Sequence, residues 1–144
     1  TPTAIMWLLA GYGIDVAQKK VAIVGRGRLV GAPLERAWKR SNIDVAVFEK
    51  GGDLRQLNKY DLIVTATGVP GLITNQMVRP GAVIVDAGTA SENGKIVGDV
   101  DELVRQRQDI TITPQKGGVG PLTVAALFDN VINACLKIAN AAKN

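Results

Sequence analysis

The chain has 144 residues, of which 47% are hydrophobic and 21% are charged, and its formal net charge is +4. This apolar content is enough for one folded domain and excludes disordered and fibrous proteins. Histidine is absent, which excludes His-based catalytic triads and removes the commonest metal ligand, so we expect no metal site.

The single cysteine, Cys135, lies in an apolar helical pattern and has no partner for an internal disulfide. We therefore expect a buried structural thiol and a reducing, cytoplasmic compartment. The basic residues are scattered, so we expect no nucleic-acid partner. We also expect no membrane contact, because we recognise neither a leader sequence nor an apolar run of the roughly 18 to 20 residues that span a bilayer.

The first predicted element is a helix over residues 2–10, because Thr1 followed by Pro2 is typical of a helix start. Since the chain begins at this helix start, we expect it to be a fragment cut at a domain boundary. The apolar run Val21–Val24 then predicts a strand that is buried on both faces, as at the centre of a parallel sheet.

A glycine turn, residues 25–31, follows this strand and precedes a helix predicted over residues 34–40. Its spacing, Gly25-x-Gly27-x-x-x-Gly31, is one residue longer than the dinucleotide fingerprint GxGxxG. Bare N–H groups and the positive end of a helix dipole there favour a pyrophosphate, and Arg26 is expected to point toward it. We interpret the turn as dinucleotide-binding; the alternative is that the glycines serve only a tight turn.

The second strand, predicted over residues 43–48, ends at Glu49 and Lys50, which give opposite signals. A carboxylate here typically accepts a hydrogen bond from the ribose 2′-hydroxyl of NAD, whereas a nearby cation accommodates the 2′-phosphate of NADP. Because Arg26 and Lys50 are two cations against one anion, we predict NADP, with NAD possible. A solvated ion pair at a strand end is the structural alternative.

The remaining pattern alternates strands with helices. We predict strands over residues 61–65, 82–86 and 110–113, short helical turns over 54–58 and 74–78, a hairpin tip at 91–95, a helix from its cap Asp99 to Arg107, and an apolar helix over about 122–141. This order predicts one domain, residues 1–144, with a Rossmann-like, doubly wound α/β fold. Its mainly parallel sheet has about five strands, with helices on both faces.

Two features of the second half are candidates for function. Asp86 ends the fourth strand, and we interpret it as a cap for neighbouring N–H groups, with a catalytic role as the alternative. The glycine–proline loop, residues 114–121, holds three glycines between two prolines, which favours contact with a planar ligand. Lys116 in this loop is a candidate contact for an anionic substrate. Thr123, at the start of the last helix, is a candidate both to cap that helix and to face the cofactor, and the sequence does not separate these roles.

Together these residues resemble a known family, the nucleotide-binding half of bifunctional methylenetetrahydrofolate dehydrogenase/cyclohydrolase. The shared motifs cover almost the whole chain in the family's order. They are Thr1-Pro2, Val24-Gly25-Arg26-Gly27 with Val30-Gly31-x-Pro33, Ala66-Thr67-Gly68-x-Pro70, Pro80-Gly81-Ala82-Val83-Ile84-Val85-Asp86-x-Gly88, Gly98-Asp99-Val100, and Thr113-Pro114 leading to Gly117-Gly118-Val119-Gly120-Pro121-x-Thr123.

The resemblance implies that NADP lies across the strand ends and that the glycine–proline loop closes over a tetrahydrofolate derivative. Hydride would pass from the carbon bridging N5 and N10 to the nicotinamide, and water would open the methenyl product to 10-formyltetrahydrofolate. The expected cofactor contacts are Gly25, Arg26, Gly27, Glu49, Lys50, Ala66, Thr67, Gly68, Ala87, Thr89 and Thr123. The expected substrate contacts are Lys116, Gly117, Gly118, Val119 and Pro121.

The chain departs from the family's pattern at several places. Gly27 stands where the family usually has Ser, Phe48-Glu49 where it has Cys-His, and Gln115-Lys116 where it has Val-Pro. The family's catalytic lysine and tyrosine belong to a preceding domain. We therefore expect no catalytic residue in this chain, which should bind nucleotide and catalyse little. The resemblance also implies a homodimer formed through the nucleotide-binding domain.

Two other functions remain open from the sequence. A stand-alone nucleotide-binding or sensing domain without chemistry would carry the same glycine turn. A fragment of an amino-acid or shikimate-type dehydrogenase is a further alternative, against which the proline-bracketed glycines argue.

Overall fold

A parallel five-stranded sheet forms the centre of the molecule. The computed structural model describes residues 1–143. The strands of this sheet are β1 (Val21–Val24), β2 (Val45–Phe48), β3 (Leu62–Thr65), β4 (Val83–Asp86) and β7 (Thr111–Ile112), in the order β2-β1-β3-β4-β7. All neighbouring strands run parallel. A separate antiparallel hairpin consists of β5 (Ala90–Glu92) and β6 (Lys95–Val97).

Helical elements cover both faces of the sheet. They are α1 (Pro2–Gly11), α2 (Gly31–Arg40), α3 (Glu102–Arg105) and α4 (Val119–Ala142), with 3₁₀ turns at Val16–Gln18, Leu54–Lys59 and Asn75–Met77. Successive side chains of a strand point to opposite faces, so Val21 and Ile23 pack in the core under α1, α2 and α4. Ala22 and Val24 pack in the second core, under α3 and the last two 3₁₀ turns. The predicted doubly wound, Rossmann-like fold is confirmed.

The strand order places a ligand-binding crevice at the ends of β1 and β3. The chain passes from β1 to β2 on one side and returns to β3 on the other, and open α/β sheets bind ligands outside the carboxyl ends at such a reversal. The strand ends are held together there, because Gly25 N–H donates to the Phe48 carbonyl at 2.8 Å. Ala66 N–H donates to the Val24 carbonyl at 2.9 Å.

Three predicted helix starts are wrong. Helix α2 begins at Gly31, three residues before the predicted start. The short helix α3 is capped by Asp101, whose carboxylate accepts the Leu103 N–H at 2.9 Å, and not by Asp99, which is fully buried. Helix α4 begins at Val119, so the last three residues of the glycine–proline loop form its first turn. The rigid part of that loop is therefore shorter than the two prolines suggest.

Helix α4 exposes most of its apolar side chains. Seven of these side chains, most of them spaced three or four residues apart, lie on one broad side of the helix, and we call them the α4 stripe. It comprises Val124, Leu127, Phe128, Val131, Ile132, Leu136 and Ile138, each more than half exposed. Cys135 is also exposed, so the prediction of a buried thiol is wrong. The stripe of this helix lacks cover within residues 1–143.

Helix α4 also corrects the expectation that no apolar run reaches the length of a bilayer. It has 24 residues, and an 18-residue window in it has a mean hydropathy of 1.5 with 6% of that window buried. By length and composition alone, such a helix is long enough to span a membrane. One helix of this kind is weak evidence, because helices that pack against other parts of a protein have the same composition.

Candidate functional site

The glycine turn is built on close backbone contacts. At Gly25, φ is +94°, and a Cβ would lie 2.7 Å from the carbonyl oxygen of Ala66. At Gly31, a Cβ would lie 1.8 Å from the carbonyl oxygen of Gly25. No side chain of the described residues caps α2 at Val30. Main chain therefore approaches the end of β1 closely, and the start of α2, which carries partial positive charge, lies beside it without a side-chain cap.

Arg26 lies between two carboxylates. Its Nε donates to Glu35 Oε2 at 2.8 Å, and its Nη1 lies 3.6 Å from Glu49 Oε1. Lys39 Nζ donates to the second oxygen of Glu35 at 2.6 Å. Hydrogen bonds from Lys39 and then Arg26 hold the pKa of Glu35 below its ordinary value. The bond and charge of Glu35, followed by the charge of Glu49, raise the pKa of Arg26.

We expect Glu35→Gln to lower the free energy of unfolding by about 1 kcal/mol at about pH 7, since its two cations are half exposed and screened by solvent. The native pKa of Glu35 lies below the unfolded value, so this contribution is complete above the unfolded pKa and is lost as pH falls through the native one. Urea denaturation of both proteins down to about pH 3 measures the difference. A difference that stays constant over that range contradicts the assignment.

Asp99 ties the loop after β3 to the sheet. Its Oδ2 accepts the Thr65 hydroxyl at 2.6 Å and the Thr67 N–H at 2.7 Å. A Cβ at position 88 would lie 2.1 Å from Asp99 Oδ1, so Gly88 leaves room for the carboxylate. Gly68 follows with φ of +71° and open space around it. The Thr67-Gly68 backbone is thus held at the carboxyl end of β3 without a side chain over it.

Asp86 has the structural role that the sequence favoured. Its Oδ1 accepts the N–H groups of Gly88 and Asp99 at 3.0 and 3.1 Å. Its Oδ2 pairs with Arg105, which also donates to the Thr113 carbonyl at 2.9 Å. The side chains of Arg105 and Asp86 are only 9% and 2% exposed. A carboxylate so fully engaged fastens β4, β7 and the turn at Asp99 together, and it is poorly placed to move a proton.

A single cleft of about 1040 Å³ joins the two glycine-rich segments. Leu29 and Val30 of the glycine turn line it together with residues 114–121. Residues 86–89, at the end of β4, and residues 94–98, in and around β6, complete the lining. Residues 29 and 30 of the glycine turn and the glycine–proline loop therefore open onto the same space, whereas Gly25, Arg26 and Gly27 do not line it.

The predicted site residues form two neighbouring groups. Eight line the cleft, namely Ala87, Thr89, Lys116, Gly117, Gly118, Val119, Pro121 and Thr123. The other eight lie in the segments that follow β1, β2 and β3, namely Gly25, Arg26, Gly27, Glu49, Lys50, Ala66, Thr67 and Gly68. The Thr123 hydroxyl donates to the Val119 carbonyl at 3.0 Å, one turn back in α4, so it does not cap the helix.

Sequence reasoning missed three contributors to the cleft. The β5–β6 hairpin supplies Lys95, Ile96 and Val97, and Ile96 is 73% exposed. The signal available in the sequence was the apolar pair Ile96-Val97 next to the predicted hairpin tip. Leu29 is 82% exposed, which is unusual for a leucine. Its position inside the glycine turn was the signal available in the sequence. Arg105 gave no signal, because its partner Asp86 lies nineteen residues earlier.

Comparison with known proteins gives one family. Residues 1–139 match the family described as "Tetrahydrofolate dehydrogenase/cyclohydrolase, NAD(P)-binding domain". The chain is 44% identical over 137 residues to the bifunctional protein FolD of Aquifex aeolicus, and the match covers 93% of this chain and 47% of that protein. For the Hydrogenobaculum protein of the same name, the identity is 46% and the coverage is 93% and 49%. The chain spans about half the length of these relatives.

Solved structures agree with this assignment. The bifunctional 5,10-methylenetetrahydrofolate dehydrogenase/cyclohydrolase of Thermoplasma acidophilum superposes with a TM-score of 0.87 at 33% identity, covering 96% of this chain and 51% of that one. The Trypanosoma brucei enzyme, described as complexed with NADP cofactor and inhibitor, gives a TM-score of 0.80 at 31% identity, covering 91% and 48%.

Proposed function

The chain belongs to the NAD(P)-binding domain family of tetrahydrofolate dehydrogenase/cyclohydrolases, and from this membership we propose that it is the NADP-binding half of such an enzyme. The whole enzyme oxidises 5,10-methylenetetrahydrofolate to the 5,10-methenyl form, and its cyclohydrolase activity gives 10-formyltetrahydrofolate. The observation that carries the proposal is the cleft shared by the glycine turn and the glycine–proline loop. A cofactor and a second ligand that react together must meet in one such space.

The residues present fit a dinucleotide. Gly25 and Gly31 bring bare main chain against the strand ends, and Gly68 keeps the loop after β3 open. The uncapped start of α2 supplies partial positive charge for a pyrophosphate. When bound, NADP supplies the acceptor for the hydride that the folate loses. The protein's part is to hold the two ligands in register and to keep water from the space between them.

In this proposal, the described residues that line the cleft bind the cofactor and the folate and orient them toward each other. Asp86, at the end of β4, and Arg105, at the end of α3, neutralise each other in a buried pair. Lys116 is exposed at the rim and suits an anionic group of the folate. We place the proton-transfer groups in the half of the enzyme that the relatives carry and this chain does not span. By itself, the chain binds nucleotide and turns over little.

The α4 stripe supports a partner half. Seven apolar side chains on one broad side of a helix are costly in water, at about 25 cal/mol for each Å² left uncovered. We propose that the other half of the enzyme covers part of this stripe. We further propose that the nucleotide-binding domains pair in a homodimer and that the enzyme is cytoplasmic, without membrane contact. A stand-alone sensing domain is disfavoured, because it would leave the stripe in water.

The test is to restore the missing half. The chain alone is expected to bind NADP without measurable oxidation of 5,10-methylenetetrahydrofolate. Joined behind the first half of the Aquifex aeolicus relative, it should oxidise this folate at least about 100-fold faster than alone, because the general acid–base groups are then present. The reduction of NADP, followed by absorbance, measures the rate.

The matched control is the same fusion with Gly31→Val, which blocks the end of β1 and should abolish the gain. A fusion that binds NADP and remains inactive contradicts the dehydrogenase assignment and favours a nucleotide-binding module without chemistry.

A further inference from the structure

Glu49 lies beside the part of the glycine turn that would face the adenosine ribose. Gly25 N–H donates to the Phe48 carbonyl at 2.8 Å, which places the residue after Phe48 next to the turn. The Glu49 side chain is 62% exposed, and its carboxylate lies 3.6 Å from Arg26. A carboxylate at the end of the second strand of this fold accepts a hydrogen bond from the ribose 2′-hydroxyl of NAD.

Arg26, the cation that a 2′-phosphate requires, is engaged on both sides. Its Nε is committed to Glu35, whose side chain is only 9% exposed and is fixed further by Lys39. Its Nη1 faces Glu49. The sequence provided two cations, Arg26 and Lys50, against one anion. The structure adds Glu35 as a second anion and Lys39 as a third cation, so the excess of one positive charge is unchanged. What the structure changes is that Nε and Nη1 of Arg26 already face carboxylates.

A 2′-phosphate and a 2′-hydroxyl would meet different electrostatics here. The phosphate carries about two negative charges, and at Arg26 it lies close to the Glu49 carboxylate, which repels it. The hydroxyl is neutral, donates to Glu49, and leaves the pair between Glu49 and Arg26 intact. The charge of Glu49 therefore acts in opposite directions on the two cofactors.

We infer that Glu49 is a specificity-determining residue that extends cofactor use from NADP to NAD. The inference rests on the proposed function, since it requires a dinucleotide at the glycine turn. Arg26, together with Lys50, receives the 2′-phosphate of NADP, and Glu49 receives the 2′-hydroxyl of NAD. The dissociation constants of the two cofactors then differ by less than about tenfold, which corresponds to about 1.4 kcal/mol.

The experiment is calorimetric titration of the full chain with NAD and with NADP. Glu49→Gln should weaken NAD about tenfold, because a charged acceptor is lost, and tighten NADP about tenfold, because the repulsion is removed. Glu49→Asp, which keeps the charge, should retain measurable NAD binding. The control is Glu102→Gln, which removes the same charge from an exposed position on α3 and should leave both constants unchanged.

The outcomes separate the inference from the proposed function. If Glu49→Gln changes both dissociation constants by the same factor, or changes neither, the inference is overturned, while nucleotide binding by the wild-type chain still supports the proposed function. A wild-type preference for either cofactor of more than about tenfold also overturns it. If the wild-type chain binds neither nucleotide, the proposed function fails and the inference fails with it.

Discussion

Gly31→Ala is expected to lower the free energy of unfolding by about 3 kcal/mol and to abolish nucleotide binding. A Cβ at this position would lie 1.8 Å from the Gly25 carbonyl oxygen and 3.0 Å from the Arg26 Cα. Both contacts are with backbone, so no side chain is able to rotate away, and α2 has to move off the end of β1. Urea denaturation measures the stability, and titration with NADP measures the binding.

Gly27→Ala is the matched control for this change. Gly27 lies in the same turn, its φ is not in the left-handed region, and a Cβ there meets nothing within 4 Å. We expect its free energy of unfolding to stay within about 0.5 kcal/mol of the wild type. Equal effects of the two substitutions would show that glycine content, and not the contact between α2 and β1, determines the stability of the turn.

Arg105→Met is expected to cost about 3 to 5 kcal/mol of folding free energy. Methionine keeps most of the side-chain volume and removes the charge, so Asp86 is left as a buried carboxylate that is 2% exposed and has lost its ion-pair partner. The bond to the Thr113 carbonyl is lost as well, which loosens β7 against β4. Urea denaturation measures the cost.

Arg55→Met provides the comparison, because Arg55 pairs with Asp53 at the surface, where the two side chains are 84% and 43% exposed. Solvent screens that pair, so its loss should leave the urea midpoint almost unchanged. If the two arginine substitutions cost the same, burial does not set the strength of the Asp86–Arg105 pair, and the fastening role assigned to it is wrong.

The strands were predictable because their signal is local. Val21–Val24 is apolar at every position, which is what burial on both faces of a parallel sheet requires, and its boundaries are confirmed. The glycine turn was equally readable, since close backbone approach demands glycine wherever it occurs. The ion-pair partners of the glycine turn could not be predicted from the sequence. Glu35 contacts Arg26 from the next helix, and nothing in the spacing of the two residues indicates an ion pair.

The errors share one physical cause, which is that partners distant in sequence decide a residue's role. Asp99 and Asp101 both stand before α3 and both suit a helix cap, yet Asp99 bonds to Thr65, thirty-four residues away. Cys135 sits in an apolar pattern that describes an interface as well as a core, and the structure exposes it. Sequence periodicity tells which side of a helix is apolar, and it does not tell what covers that side.

Helix α4 carries residues of both the cleft and the α4 stripe. Its first turn carries Val119 and Pro121 into the cleft, and the whole helix of 24 residues is about 36 Å long. Gly117, just before this helix, has φ of +75° and nothing within 4 Å of the Cβ that it lacks. A partner that packs on the α4 stripe therefore contacts the same helix whose first turn lines the cleft.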